Sequence, residues 1–521
     1  MNINHKYLYI ISFIEGGVVM AVELMGAKLL APYFGTSLTV WAAALGVTLA
    51  GLMIGYFLGG FLSKKLLQIE TLLISFLLIG GVFVIILPIL ARFIMSFFIE
   101  YSLQMGATLS LSLFLMPPLI CMGAISPIII KLITKDTKES GNSAGNIYAI
   151  STLGGIISTF LLGFYFLPTL GINTPALIFG LLIIAPTIII LILNQQTHIA
   201  LIFIAITVIF VFISQKNKKN LSDKFFVLYE SEGILGQIKV IDHSSEWFNR
   251  EHRMGRGLLV NNTLQTFMDV SNPTNSSIWA WSTFIPSIIS IYPKQSKVLL
   301  LGLGGGTIAK QLIHLDFEFD VVELDQRVFE VAKKYFYLDE RTNVIIDDAR
   351  HYINTCEKKY DIIIFDTFLS ESAPEHLLTI ESFQNLKKIM NPKAMFISNF
   401  YGFLNNEIGY AARSVNKTIV AAGFISKIVA TPGEEENRNL LFLGLTEEKD
   451  FTKLTYSELG VSPIKDINPY IISDYKFNKN DAEILTDKKP KLSLLYSKAS
   501  MSWKKAYNSY YTKGFINEGI N

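Results

Sequence analysis

Lys297-Val-Leu-Leu-Leu-Gly302-Leu-Gly-Gly-Gly306-Thr-Ile-Ala-Lys310 decides the fold of the second half of this chain. An apolar run of strand length enters a glycine turn and leaves it as a helix. Val321-Val-Glu323-Leu-Asp325 and Val344-Ile-Ile-Asp347-Asp348-Ala349 follow as further strands that end in carboxylates. A buried strand, a glycine turn and an acidic residue closing the next strand are how a doubly wound sheet holds an adenine nucleoside. Gly302, Gly304 and Gly306 form G-x-G-x-G, and the third glycine of the dinucleotide fingerprint would fall at Thr307. The turn therefore suits close backbone approach to a nucleoside better than a pyrophosphate cradle.

Outward from this motif, strands are expected at 297–302, 319–324, 343–347, 361–366 and 394–400, with helices at 307–315, 326–337 and 379–390. That alternation predicts an α/β doubly wound domain over 293–445, with ligands at the carboxyl ends of its strands. Glu323, nineteen residues after Gly304, is spaced to accept hydrogen bonds from two ribose hydroxyls; the alternative is a solvated strand end. Asp348 and Ala349 would flank the adenine. Asp366, ending Asp361-Ile-Ile-Ile-Phe-Asp366, is a candidate general base toward an amine, or a capping aspartate. Before this domain, β-rich runs at Glu230–Asp242 and Arg256–Asp269, broken by Gly233, Gly236 and Asn261-Asn262, predict a small antiparallel β domain over 225–292. Residues 446–521 form an extension without an assigned role.

The first half is of another kind. The chain has 521 residues, 51% apolar and 17% charged, and its mean hydropathy is +0.41. That is too apolar for an ordinary soluble domain. The net charge of +2 gives no basic surface for nucleic acid. Cys121 and Cys356, far apart in sequence, suggest neither a disulfide framework nor a metal site. Residues 1–214 divide into about seven apolar spans, at roughly 8–30, 40–62, 71–96, 104–133, 144–168, 172–194 and 198–214. The first is too long for a signal peptide and has only Lys6 before it. These spans predict a multi-pass α-helical membrane domain in the cell membrane, with the lipid bilayer as partner. Gly51, Gly55 and Gly59 repeat every four residues, which suits close helix packing. Glu15 and Glu23 lie within the first span, as part of a polar pathway or as hydrogen-bonded structural groups. Lys64-Lys65 and Lys131, Lys135, Lys138 put two loops in the cytoplasm, and seven spans would then put the second half outside. Lys216, Lys218, Lys219 and Lys224 argue for inside. A nucleoside made in the cytosol favours a cytoplasmic second half.

The second half resembles the spermidine synthase (polyamine aminopropyltransferase) family, and the whole chain resembles its membrane-fused branch. The resemblance runs over about 225–445: Tyr229-Glu-Ser231, Gly236-Gln237-Ile-Lys-Val240, Leu259-Val-Asn-Asn-Thr-Leu-Gln265, the Gly302 turn, Glu323-Leu-Asp325, Asp347-Asp-Ala349, Asp366 and Pro374-Glu-His-Leu-Leu-Thr379. Glu23, Ala31-Pro-Tyr-Phe-Gly-Thr-Ser37 and Asn146-Ile-Tyr148 look like the membrane-fused branch. The resemblance implies that Gln265, Gly302, Gly304, Gly306, Glu323, Asp348, Ala349 and Pro374 hold the nucleoside and that Asp366 is the catalytic base. It implies a Rossmann-like, S-adenosylmethionine-methyltransferase-type fold, with decarboxylated S-adenosylmethionine as co-substrate and no metal. The partner would be a small amine, a polyamine among the candidates; a homo-oligomer is open.

The chain also departs from that family. Gly305 stands where an aspartate usually meets the aminopropyl ammonium. A Tyr-His pair that helps hold the diamine is replaced near Ala280-Trp281, and Leu369-Ser370 replaces a second acidic residue, with Glu371 the nearest substitute. Such a site lacks charge-assisted hydrogen bonds to a diamine. Aminopropyl transfer therefore stands beside two alternatives: methyl or aminocarboxypropyl transfer from intact S-adenosylmethionine, and a transporter or sensor whose second half only binds ligand.

Overall fold

The computed structural model describes residues 5–35, 38–66, 68–98, 101–134, 136, 140–216, 225–233, 235–244, 254–270, 280–367, 374–451, 466–472, 480–503 and 511. By contacts the chain divides into two compact units, one built mainly of Met1–Ser222 and the other of Asp223–Glu230 and Ile238–Tyr511.

The first unit is helical: α1 (His5–Phe34), α2 (Leu38–Lys65), α3 (Ile69–Phe98), α4 (Leu103–Phe114), α5 (Met116–Ile133), α6 (Ser140–Leu161), α7 (Leu167–Leu170), α8 (Asn173–Leu193) and α9 (Thr197–Lys216). Among the described residues six helices are long and apolar enough to cross a membrane: α1, α2, α3, α5, the run from α6 through α7, and α8. The stretch expected as one span at 104–133 is two helices, because Pro117 and Pro118 open α5 and supply no N–H to continue α4. The seventh stretch is helical, but its described apolar part, Thr197–Ile209, is shorter than the other six.

Glycine sets which helices meet. A Cβ on Gly59 of α2 would lie 2.4 Å from Ala124 O of α5, and one on Gly154 of α6 would lie 1.9 Å from Phe13 O of α1. Close backbone approach and interhelical hydrogen bonds join these helices. Glu15 is one such tie: it is buried, and the hydroxyls of Ser126 on α5 and Ser151 on α6 donate to its Oε2 at 3.3 and 3.0 Å.

In the second unit β1 (Phe225–Ser231), β2 (Ile238–Ser244), β3 (Met254–Val260) and β4 (Thr263–Asp269) form a small sheet in that order, antiparallel across β2–β3 and β3–β4. Helix α10 (Ala280–Ile289) leads into β5 (Lys297–Leu301), α11 (Thr307–His314), β6 (Glu318–Glu323), α12 (Gln326–Tyr335), β7 (Val344–Ile346), α13 (Ala349–Thr355) and β8 (Tyr360–Phe365). Then come α14 (Ile380–Lys388), β9 (Met390–Tyr401), α15 (Tyr410–Ala421), β10 (Ile425–Ala430), β11 (Asn439–Leu445) and, after the sheet, α16 (Leu492–Trp503). Seven strands form one sheet in the order β10-β11-β9-β8-β5-β6-β7, parallel from β9 to β7, with β11 antiparallel to both β9 and β10.

This is the expected Rossmann-like sheet, and its apolar strands explain why. Val298 and Leu300 pack with Phe284, Ile288, Ile308 and Leu312, from α10 and α11. Leu299 and Leu301 face the other way, into a core with Ile353, Phe383, Val415 and Tyr496, from α13 to α16. A strand covered on both faces has no polar alternation. Each of these buried aliphatic side chains contributes roughly 1.5–3 kcal/mol.

Candidate active site at the sheet's switch point

Strand order reverses between β5 and β8: from β5 the chain moves outward through β6 and β7, and from β8 it moves the other way to β9. The crevice above such a point is where open α/β sheets bind ligands. Gly302 follows β5 at φ +90, and a Cβ there would lie 2.0 Å from Asp366 O, so only glycine lets the two strand ends meet. The Asp366 N–H donates to Leu301 O at 2.8 Å, which fixes the carboxyl end of β8 against the glycine turn.

Glu323 is not a solvated strand end. It is 9% exposed, and its two carboxylate oxygens accept separate backbone N–H groups, Oε2 from Leu303 at 3.0 Å and Oε1 from Asp325 at 2.9 Å. Burial raises its pKa above the ordinary glutamate value, while the amides of Asp325 and Leu303 pull it back. Each oxygen keeps lone-pair capacity after these bonds, so the carboxylate can still accept from a diol. Gly304, at φ +54, and Gly306, at φ +76, complete the turn, and the Gly305 N–H donates to Thr266 Oγ1 of β4 at 2.8 Å. The small sheet therefore holds one wall of the glycine turn. Gln265, next to Thr266, directs its amide to Thr263 O of its own strand at 3.4 Å.

Asp348 caps α13: its Oδ1 accepts the N–H groups of Arg350 and His351 at 2.9 and 3.1 Å, and its Oδ2 lies 3.2 Å from His376 Nε2. Ala349 is buried at the first position of that helix. Pro374 precedes the short turn Glu375–Leu377, and its carbonyl accepts the Leu377 N–H at 2.9 Å. Asp366 presents its carboxylate beside β9, where Asn399 Nδ2 donates to Oδ1 at 3.1 Å. Burial pushes its pKa up to about 6 against the opposing pull of that hydrogen bond. A carboxylate poised there can take a proton near neutral pH.

The family described as spermine/spermidine synthase domain matches residues 287–420, the stretch that carries all of these strand ends. The C-terminal part of the chain carries a spermine/spermidine synthase domain. Two curated proteins named polyamine aminopropyltransferase are similar to it: that of Vibrio vulnificus, 35% identical over 116 residues (21% of this chain, 39% of that protein), and that of Methanocaldococcus jannaschii, 29% identical over 180 residues (33% and 56%). The chain thus spans about half the length, or less, of these relatives. The crystal structure of spermidine synthase from Thermotoga maritima is similar at 17% identity and a TM-score of 0.35, covering 52% of this chain and 84% of that one.

Within the synthase domain, Gly305 is closed to a side chain on the side where its Cβ would point, with Thr266 Cγ2 at 2.6 Å and Phe336 Cδ1 at 2.9 Å. An aspartate at this position would meet those side chains before reaching the crevice. Trp281 is buried in the core with Phe284. Leu369, Ser370 and Glu371 lie outside the described residues. Sequence reasoning missed Thr266, Asn399 and Asn439. Asn439 Nδ2 donates to Asn399 Oδ1 at 2.9 Å, so an amide chain runs from β11 through β9 to Asp366. No local motif announces Asn399; only the pairing of β8 with β9 brings it to Asp366.

Proposed function

We propose that this chain is a membrane-bound polyamine aminopropyltransferase of the spermidine synthase type. It would transfer the aminopropyl group of decarboxylated S-adenosylmethionine to an amine acceptor and release methylthioadenosine. The observation that carries the reading is the pairing, across one switch point, of the backbone-held carboxylate of Glu323 with the carboxyl of Asp366, raised to about 6. Glu323 would accept the ribose hydroxyls, with Gly302, Gly304 and Gly306 leaving room for close approach. Asp348, Ala349, Pro374 and Gln265 would border the nucleoside.

Asp366 would accept a proton from the acceptor ammonium, and the freed amine lone pair would attack the carbon next to the sulfonium. The carbon–sulfur bond breaks as the carbon–nitrogen bond forms, and its electron pair stays on the neutral thioether. Proximity and proton removal are what such a site contributes, since the leaving group is already activated. The helices of the first unit, six of them among the described residues long and apolar enough to cross a bilayer, would anchor the domain, with 225–292 and 293–445 as its β and nucleoside-binding parts on the cytoplasmic side.

Gly305 favours a second reading, transfer from intact S-adenosylmethionine, because no acidic side chain stands there to disfavour a carboxylate. One experiment separates the two. Purified full-length protein is offered each nucleoside with a panel of diamines, and products are read by mass. Methylthioadenosine formed only with the decarboxylated nucleoside and an amine supports aminopropyl transfer; a methylated or aminocarboxypropylated product supports the second reading.

A further inference from the structure

The segment after the seven-stranded sheet is built into the edge of the nucleoside crevice. Arg413 of α15, 3% exposed, donates from Nη2 to Asp481 Oδ2 at 2.7 Å, and the Ile380 N–H donates to Leu485 O at 2.9 Å. These bonds carry the chain to Asp487. There Oδ2 accepts from Arg350 Nη2 at 2.7 Å, Oδ1 accepts from Thr379 Oγ1 at 2.6 Å, and the Asp487 N–H donates to Glu381 Oε2 at 3.0 Å.

Arg350 passes the connection on. Its Nη1 donates to His376 O at 2.6 Å, and His376 Nε2 lies 3.2 Å from Asp348 Oδ2. Asp348 in turn caps α13, the helix that carries Arg350, so the bonds close a ring. Ser493 of α16 adds a second tie, donating from Oγ to Glu375 Oε2 at 2.9 Å.

We propose that Asp487 is a positioning residue for nucleoside binding, acting through Arg350 and Thr379 to hold the Pro374–Thr379 stretch beside Asp348. The proposal rests on the reading that Asp348 and Pro374 border the nucleoside. Arg350 has a side chain 14% exposed, and its buried Nε makes no hydrogen bond among the described residues. Its placement therefore depends on its two outer nitrogens: Nη2 donates to Asp487, and Nη1 donates to His376 O and, more weakly, to Thr379 Oγ1 at 3.2 Å and Asp487 Oδ1 at 3.4 Å. Without Asp487 a mostly buried guanidinium loses its anion, and either Arg350 moves toward water or the stretch it holds loosens. A binding edge that must be ordered by its ligand binds more weakly than one already ordered.

The test is calorimetry of full-length protein with methylthioadenosine. Asp487→Ala and Arg350→Ala should each weaken binding about tenfold, and the double variant should be no weaker than the worse single one, because Asp487 acts through Arg350. Asp481→Ala, in the same segment, should lower the melting temperature yet keep wild-type affinity. Additive losses, unchanged affinity in Asp487→Ala, or an equal loss in Asp481→Ala would each overturn the proposal. Should Asp487→Ala not fold, Asp487→Asn keeps an acceptor and drops the charge; it should bind a few-fold more weakly, and wild-type affinity in it overturns the proposal as well. A wild-type protein that does not bind methylthioadenosine removes the nucleoside reading itself, a result distinct from selective failure of the variants.

Discussion

Asn399 Nδ2 donates to Asp366 Oδ1 at 3.1 Å, from the strand paired with the one that Asp366 closes. The donor favours the ionised carboxylate, whereas burial favours the neutral acid, and burial prevails. In the proposed mechanism Asp366 works only when ionised, so the rate should rise with pH through about 6. Asn399→Leu removes the stabiliser of the anion and should move this limb to higher pH by roughly one unit, the size of one hydrogen bond to a charged group. A pH–rate profile with an unmoved limb would show that Asn399 does not act on the base.

Asp366→Asn should bind methylthioadenosine with wild-type affinity while turnover falls at least ~100-fold, since general base catalysis is typically worth that much. Calorimetry and a single-turnover assay on one preparation measure both. Normal turnover would make Asp366 a structural residue.

Glu323→Ala should weaken nucleoside binding by about 2–4 kcal/mol, tens to a thousandfold, through loss of the charged acceptor. It should also lower stability, because the Leu303 and Asp325 N–H groups lose their acceptors. Glu323→Gln keeps one acceptor oxygen and should fall between. Equal affinity in all three proteins would remove Glu323 from the site.

Gly305→Asp should destabilise the protein by roughly 1–3 kcal/mol, the cost of overpacking, and should not produce selectivity for the decarboxylated nucleoside. The new Cβ would meet Thr266 Cγ2 and Phe336 Cδ1. Adding Thr266→Ser removes that methyl group, keeps the acceptor for the Gly305 N–H and should restore part of the loss. Denaturant midpoints of the wild type and the two variants test this; Gly305→Asp as stable as wild type would show that the wall yields.

A tag after Asn521 should be accessible to protease in sealed inverted vesicles and protected in right-side-out ones. The opposite pattern would show that Lys64-Lys65 and Lys131–Lys138 are the better guide to topology.

The parallel sheet was legible in the sequence because each of its central strands is covered on both faces. Coverage on both faces demands unbroken apolar runs such as Val298–Leu301, and the glycines and carboxylates then fall at the strand ends by chain order alone. Gly302, Glu323, Asp348 and Asp366 could be named for that reason. The membrane-length helices were legible from apolar run length, except at Leu115, where two prolines end a run that composition left continuous.

What only the tertiary structure decided is which polar groups meet. Thr266 reaches the glycine turn from another sheet, Asn399 reaches Asp366 across a strand pair, and Asp487 reaches Arg350 across 137 positions of sequence. A local pattern records whether a residue faces apolar surroundings, because burial repeats with the period of the helix or strand. A hydrogen bond between distant segments has no such period, and strand order and helix packing alone bring its two partners together.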